Sequence, residues 1–263
     1  MSGKPQILSS RELSASEAKW VTLKELKWKD EDGKERKWEC AERNTRGSSG
    51  IDAVAILAII KSQKNSFPPS TVIIEQFRPP VNRYVIELPA GLIDEGETAE
   101  QTAIRELEEE TGFKSDKVIE SSPVVATDPG MTTANMKLVI LDVTLPDELE
   151  LNEAKLDEGE HIVKRVVELS RLYDELQEYD KKGFMVDARL SHFASGYRLA
   201  RQLRYGYVTV RYTCIDDCEI RRRFYVKNTY FLFLIRFTAH PRLSRLRTFE
   251  DKNNGNISAR ASS

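Results

Sequence analysis

The sequence predicts an α+β sandwich, on three observations. Strand-like stretches outnumber helix-like ones, and the two kinds do not alternate regularly as a doubly wound sheet would require. One long helix, residues 98–111, free of glycine and proline and stopped by Gly112, stands between the strands. The chain of 263 residues is long enough to bury a sizeable core, as one large domain or two smaller ones. With 40% hydrophobic and 31% charged residues and a net charge of -2, it carries no global basic excess of the kind that nucleic acid would attract. The most apolar runs, 53–60 and 230–235, are far too short to span a bilayer. Cys40, Cys214 and Cys218 cannot all pair, and residues 1–10 show no secretory pattern. A reducing, cytoplasmic setting is therefore expected, with the nucleus as the alternative.

Taken in order, residues 1–17 form a polar start. Residues 20–28 and 34–46 are strand-like and are joined by Asp30-Glu31-Asp32-Gly33, whose Asp-Gly step favours the positive φ of a hairpin turn. This N-terminal β-unit, 1–46, holds Trp20, Trp28 and Trp38, all the tryptophan of the chain. Tryptophan on a half-buried strand serves a core or an interface. After the loop 47–50, the apolar run 51–60 should be a buried strand; 71–77 is a second, ended by Arg78-Pro79-Pro80, and 83–88 a third. Beyond the central helix come strands at 135–145 and 161–169. Ser170 is placed to cap a helix reaching about residue 180. A last amphipathic helix, 187–202, carries Leu190, Phe193, Ala194 and Tyr197 on one face and closes the second domain, 47–203. No internal repeat is visible.

The sign of the charge flips at the end. Residues 204–263 hold 12 Lys+Arg against 5 Asp+Glu, about +7, which leaves 28 against 37, about -9, for the first 203. Three readings of this tail compete: a solvated or disordered extension, a basic segment contacting RNA or a membrane, or sequence that is not native coding. Cys214 and Cys218 lack a second ligand pair at zinc spacing.

The chemistry concentrates in residues 91–113. At about 100° per residue, Glu106, Glu109 and Glu110 fall within roughly a 100° arc of the helix, beside an apolar face of Ala103, Ile104 and Leu107. Three carboxylates so close repel one another and gain from a cation among them; hard oxygen donors suit Mg²⁺ or Mn²⁺. Arg105 precedes Glu109 by four residues, the spacing of an ion pair that can hold that carboxylate in place. Glu108 points roughly the other way and is expected to be solvated.

Gly91, Glu97, Arg105-Glu106-Leu107-Glu108-Glu109-Glu110 and Gly112-Phe113 fill every position of the pattern G-x5-E-x7-R-E-U-x-E-E-x-G-U, U being bulky and apolar. This is the signature of the Nudix hydrolases, which the stretch resembles. The resemblance sharpens the fold to an α/β/α sandwich and implies hydrolysis of a pyrophosphate linked to a nucleoside. Such a reaction needs phosphoryl charge neutralised, a water placed in line and a base for its proton. Glu106 and Glu110, one turn apart, are the expected metal ligands; Glu109 is a third ligand or positions one. The resemblance adds the backbone carbonyl of Ala90, and Glu97 is expected to act structurally through Arg105 or the loop. The base, in related enzymes, comes from an acidic loop after the long strand. Here that is 146–160, where Gly159-Glu160 fits best, as base or further metal ligand, with Glu158 second. His161 next door is expected at the surface.

Residues 76–80, 87–93 and 128–130 are similar to ADP-ribose (ADP-sugar) pyrophosphatases, as is Pro129, sixteen residues beyond Phe113. By this resemblance Trp20 and Trp38 match two tryptophans that sandwich adenine from different subunits of a homodimer, with Glu39 beside the base. Arg43 and Arg78 match cationic contacts to diphosphate or ribose, and Leu92 and Asp128 match contacts near the terminal ribose. Trp28 has no such counterpart. Val81-Asn82-Arg83 is bulkier than the small-residue turn common in that subgroup. The resemblance thus implies a Mg²⁺-dependent enzyme, with Mn²⁺ as alternative, releasing AMP and a sugar phosphate, and an N-terminal β-unit that packs across a dimer. The alternatives are a Nudix enzyme for another substrate, such as oxidised nucleoside diphosphates, and an inert binding module. The second is disfavoured by the complete set of signature carboxylates. No membrane partner is expected, and nucleic acid only through the basic tail.

Overall fold

The computed structural model describes residues 4–146, 148–149, 153–156 and 159–205, with three further strands at Tyr207–Tyr212, Ile220–Lys227 and Tyr230–Leu232. The chain divides into two units, Met1–Arg201 and Gln202–Ser263.

The first unit opens on a hairpin. Strands β1 (Val21–Lys29) and β2 (Glu35–Arg43) pair antiparallel from Val21↔Arg43 to Lys29↔Glu35, and Gly33 takes the positive φ of +77° that the turn demands. Leu23 is 72% exposed, Trp20 61% and Trp38 50%, so the single chain leaves this two-stranded sheet largely uncovered. It is stitched to the rest at Ala41, whose N–H donates to the Met131 carbonyl (2.9 Å) and whose carbonyl accepts from Thr133 N–H (3.0 Å).

The main sheet follows, with β3 (Ala53–Ser62), β4 (Ser70–Arg78), β5 (Arg83–Glu87), β6 (Ala90–Leu92), β7 (Val118–Ser121), β8 (Val125–Ala126), β9 (Asn135–Leu145), β10 (Ile162–Glu168) and β11 (Met185–Val186). Its path runs β11-β5-β4-β3-β9-β7, with β10 on β4, β6 on β3 and β8 on β9. The long central contact β3–β9 is parallel, from Ala53↔Met136 to Ser62↔Leu145. Helices α1 (Ala99–Thr111) and α2 (Leu172–Lys181), with α3 (Ala188–Tyr205) as far as Arg201, complete the unit.

Strand periodicity divides the core in two. Val54, Ile56, Ala58 and Ile60 of β3 pack with Ala103 and Leu107 of α1 and with Phe113. Leu57 points to the opposite face, against Leu172 and Leu176 of α2 and Leu190 and Ala194 of α3. The sheet is thus covered on both faces, which explains why β3 is a continuous apolar run rather than an alternating one. This is the expected α/β/α arrangement. Phe193 and Tyr197 pack partly buried beside Leu190 and Ala194, as the spacing of the last helix implied.

Two details differ from expectation, and a third adds to it. Strand β3 starts at Ala53 because Asp52 is taken up by Arg46 (Nε to Oδ1 2.8 Å, Nη2 to Oδ2 2.7 Å) and by the Asn135 N–H (2.9 Å). Ser170 does not cap α2: its hydroxyl is engaged by the Glu168 carboxylate, and Arg171 holds the cap position without a side-chain bond. Asn82, in the bulkier turn after Pro79-Pro80, adopts φ +49°, a left-handed conformation that asparagine tolerates better than most residues.

The second unit contains an antiparallel sheet, β12 (Tyr207–Tyr212), β13 (Ile220–Lys227) and β14 (Tyr230–Leu232). The rest of the basic tail, and the competing readings of it, lie outside the described residues. Among the described residues no helix is long and apolar enough to cross a membrane.

Candidate active site

The site is built where β6 meets α1. Strand β6 is pinned to β3 by Ala53↔Leu92, Val54↔Gly91 and Ala55↔Ala90, which lays the backbone of 90–92 along one face of the helix. The helix starts with a capping box, in which Gln101 N–H donates to Thr98 Oγ1 (3.2 Å) and Thr98 N–H donates to Gln101 Oε1 (2.9 Å). It ends at Gly112, φ +72°. Both ends of the helix are therefore capped, and Glu106, Glu109 and Glu110 project from it.

Gly91 is required by close approach: a Cβ there would overlap the Glu106 carboxylate. Glu110, 5% exposed, accepts the Ala90 N–H at 3.0 Å. Burial, reinforced by the charges of Glu106 and Glu160, pushes its carboxyl up to about 8, against the pull of the Ala90 N–H and of Arg78. Glu106 is also raised, first by burial and then by Glu109 and Glu160, with Arg105 opposing.

Arg105 balances the other side. Its Nε and Nη2 donate to Glu97 (3.0 and 2.9 Å), and its Nη1 donates to Glu106 (2.8 Å) and to Glu109 (2.9 Å). Glu97 also accepts from Thr102 Oγ1 at 2.7 Å, and the guanidinium contact holds its carboxyl down to about 2. The expected Arg105–Glu109 pair is present, and one guanidinium gathers three carboxylates.

Glu160 is exposed, and its charge bears on both Glu106 and Glu110. Gly159 before it has φ +89°, a backbone turn that glycine permits. Glu158 lies outside the described residues, and His161 is exposed. Glu108 departs from expectation. It is not simply solvated but binds Lys155 Nζ (2.7 Å) and Lys114 Nζ (3.2 Å).

A cleft of about 830 Å³ opens beside β6 and is lined by Arg43, Arg78, Glu87, Ala90, Leu92 and Arg189, among others. Arg78 is held by the buried Glu87 (Nε to Oε1 3.0 Å, Nη2 to Oε2 2.5 Å), and Arg189 by Asp187 (Nη2 to Oδ2 2.6 Å). Arg189 was not assigned a role from the sequence. The available signal was the Asp187-Ala188-Arg189 spacing, which puts carboxylate and guanidinium together where β11 gives way to α3.

The remaining residues are not gathered into this cleft. Trp38 Nε1–H donates to the Gly130 carbonyl (3.0 Å), next to Asp128, whose own carbonyl accepts from Thr132 N–H (2.9 Å). Glu39 stands beside Trp38 on β2, exposed. Trp20 is level with Asn44, whose N–H donates to its carbonyl (3.0 Å), whereas Trp38 is level with Leu26. At the rise of a strand the levels of residues 20 and 26 lie about 20 Å apart. One chain alone does not sandwich a base between these two rings.

The donors around Ala90 are hard oxygens whose raised proton affinity marks a deficit of positive charge, the chemistry that suits a divalent cation. Among the described residues, no group of three His, Cys, Asp or Glu side chains is gathered at ligating distance.

Residues 49–186 match the model of the NUDIX domain family. The chain is 45% identical to an uncharacterized Nudix hydrolase of Schizosaccharomyces pombe, over 73% of this chain and 93% of that protein. It is 42% identical to the ADP-ribose pyrophosphatase of Saccharomyces cerevisiae, over 76% and 88%. With the ADP-sugar pyrophosphatase of Mus musculus the identity is 38%, over 54% and 63%. The glycine that admits Glu106, the buried Glu110 and the arginine that collects Glu97 and Glu109 thus belong to a chain of the Nudix family, in its ADP-ribose and ADP-sugar pyrophosphatase subgroup.

Proposed function

We propose that this chain is a divalent-cation-dependent pyrophosphatase that hydrolyses ADP-ribose and ADP-sugars to AMP and a sugar phosphate. The observation that carries the reading is the Glu106–Glu110 pair, with the buried Glu110 on Ala90 and the half-buried Glu106 against Gly91, at the edge of an arginine-lined cleft. The names of the yeast and mouse relatives support the substrate class.

Glu106, Glu110, Glu109, Glu160 and the Ala90 carbonyl are the groups that would hold Mg²⁺ or Mn²⁺. When bound, the cation supplies neutralisation of phosphoryl charge and a more acidic water. Arg43 and Arg78 face the cleft, where guanidinium forks match diphosphate oxygens; the Glu87 contact keeps Arg78 in place before substrate arrives. Arg105 orients Glu109 and Glu106. Glu160 takes the proton of the attacking water, and Leu92 and Asp128 border the sugar. Trp20 and Trp38 stack on adenine with Glu39 at its edge, one ring from each protomer of a homodimer. The separation of the two rings within one chain and the uncovered hairpin support that arrangement.

The test is release of AMP from ADP-ribose and ADP-glucose, and of the corresponding nucleoside monophosphate from an oxidised nucleoside diphosphate, with Mg²⁺, together with a mixing experiment. Trp20→Ala and Trp38→Ala should each raise KM about 5- to 100-fold, the value of one base stack. Co-refolded mixtures should recover wild-type KM in the fraction of dimers that pair one intact Trp20 with one intact Trp38. Turnover confined to the oxidised nucleotide would overturn the substrate assignment, and mixtures no better than either parent would overturn the shared site.

A further inference from the structure

The C-terminal end of α1 reveals a role for a residue outside the signature. An α-helix leaves its last carbonyls without helical partners. Here the Glu108 carbonyl accepts from Gly112 N–H (2.8 Å), the Thr111 carbonyl from Lys164 Nζ (2.6 Å), and the Glu109 carbonyl from the backbone N–H of Lys155 (2.7 Å). The same Lys155 sends its Nζ to Glu108 Oε1 at 2.7 Å. It therefore grips the helix by main chain and side chain on consecutive residues. Its cationic head also lies near the negative end of the helix dipole, where cations are favoured.

The grip bears on the chain between Lys155 and the next strand. Ile162 is fixed in the sheet by its pairing with Gln76. Glu160 thus lies in the chain between two fastened points, Lys155 and Ile162. Five residues of chain reach at most about 17 Å, so fastening Lys155 confines the volume that Glu160 can explore. Glu108 occupies the position that the signature leaves open, so the contact is a property of this chain rather than of the motif.

We propose that Lys155 is a positioning residue, which fastens segment 153–156 to the end of α1 through Glu108 and the Glu109 carbonyl and thereby sets the approach of Glu160 to Glu106 and Glu110. The role in turnover rests on the reading of Glu160 as proton acceptor; the fastening itself does not.

The experiment combines kinetics with hydrogen exchange on the full chain, using Lys155→Met, Glu108→Gln, the double variant, Lys155→Arg and, as control, Lys114→Met. Lys155→Met and Glu108→Gln should each lower kcat about three- to tenfold with KM within twofold, in keeping with a surface pair aided by a backbone bond. The double variant should lose no more than either single one. Lys155→Arg should restore most of kcat, and Lys114→Met should leave it unchanged. Amide exchange in peptides covering 153–160 should rise at least fivefold in Lys155→Met and Glu108→Gln, and not in the control. Additive losses in the double variant, or exchange equal to wild type, would overturn the proposal. A wild-type chain that turns over no ADP-sugar would sink the functional reading instead, while exchange at 153–160 would still decide the fastening.

Discussion

Helix α1 borders two carboxylate environments of opposite character. On one side, Glu97 meets the Arg105 guanidinium and the Thr102 hydroxyl, and its carboxyl is held down to about 2. On the other, Glu110 is buried beside Glu106, with one backbone N–H for company, and its carboxyl is pushed up to about 8. Residue type is the same; the difference lies in whether charge is answered within the fold. The Glu97 side is complete as it stands and serves as scaffold. The Glu110 side is short of positive charge, and that shortage is what a substrate-binding cation would relieve.

The largest effect that would break this comparison is on turnover. Glu110→Gln should reduce kcat for ADP-ribose by about 100- to 1000-fold, the range for losing one preorganised electrostatic group, with a folded protein by circular dichroism. Activity within tenfold of wild type would place the chemistry elsewhere. Arg105→Lys comes next. A lysine ammonium cannot bridge Glu97, Glu106 and Glu109 as the fork does, so stability should fall by about 1–3 kcal/mol in urea unfolding, and kcat by about tenfold as Glu109 loses its orientation. An unchanged urea midpoint would show that Arg105 does not organise the scaffold side.

The smallest effect is the pH dependence of stability in metal-free buffer, where the two sides should pull in opposite senses. Glu97 has a folded pKa of about 2 against an ordinary 4.5, so its contribution is fully present above 4.5 and is lost as pH falls toward 2. Glu110 has a folded pKa of about 8, so the folded state keeps a proton that the unfolded chain has lost above 4.5. Its contribution therefore turns destabilising as pH rises from 4.5 and levels off beyond 8. Glu97→Gln should flatten the acid limb and Glu110→Gln the neutral-to-alkaline limb, as read from urea midpoints between pH 3 and 9. Parallel curves for both variants would erase the distinction.

Much of this was legible in the sequence because it rests on spacing. The Arg105–Glu109 separation, the glycine and proline punctuation of α1 and the unbroken apolar run of β3 each translate into geometry through one helical or strand period. Gly91 had to be glycine, and the structure supplies the reason in the Glu106 carboxylate. What escaped depends on side-chain contacts that no helical or strand period encodes. Glu108 points away from the other glutamates, as the helical period says, but periodicity cannot show that Lys155 returns to meet it. Ser170 is a good cap by type, yet Glu168, two residues away, competes for its hydroxyl. Arg189 enters the cleft only because β11 pairs with β5 and carries the start of α3 to its edge.

The central claim is that Glu110 is protonated in the resting protein near neutral pH and gives up that proton when a divalent cation binds. The most direct measurement is titration calorimetry of the metal-free protein with Mg²⁺ at pH 7, repeated in buffers of different ionisation enthalpy. The account requires a buffer-dependent heat corresponding to release of up to about one proton, absent in Glu110→Gln. Binding with no proton release by the wild-type chain, or the same release by Glu110→Gln, would contradict it.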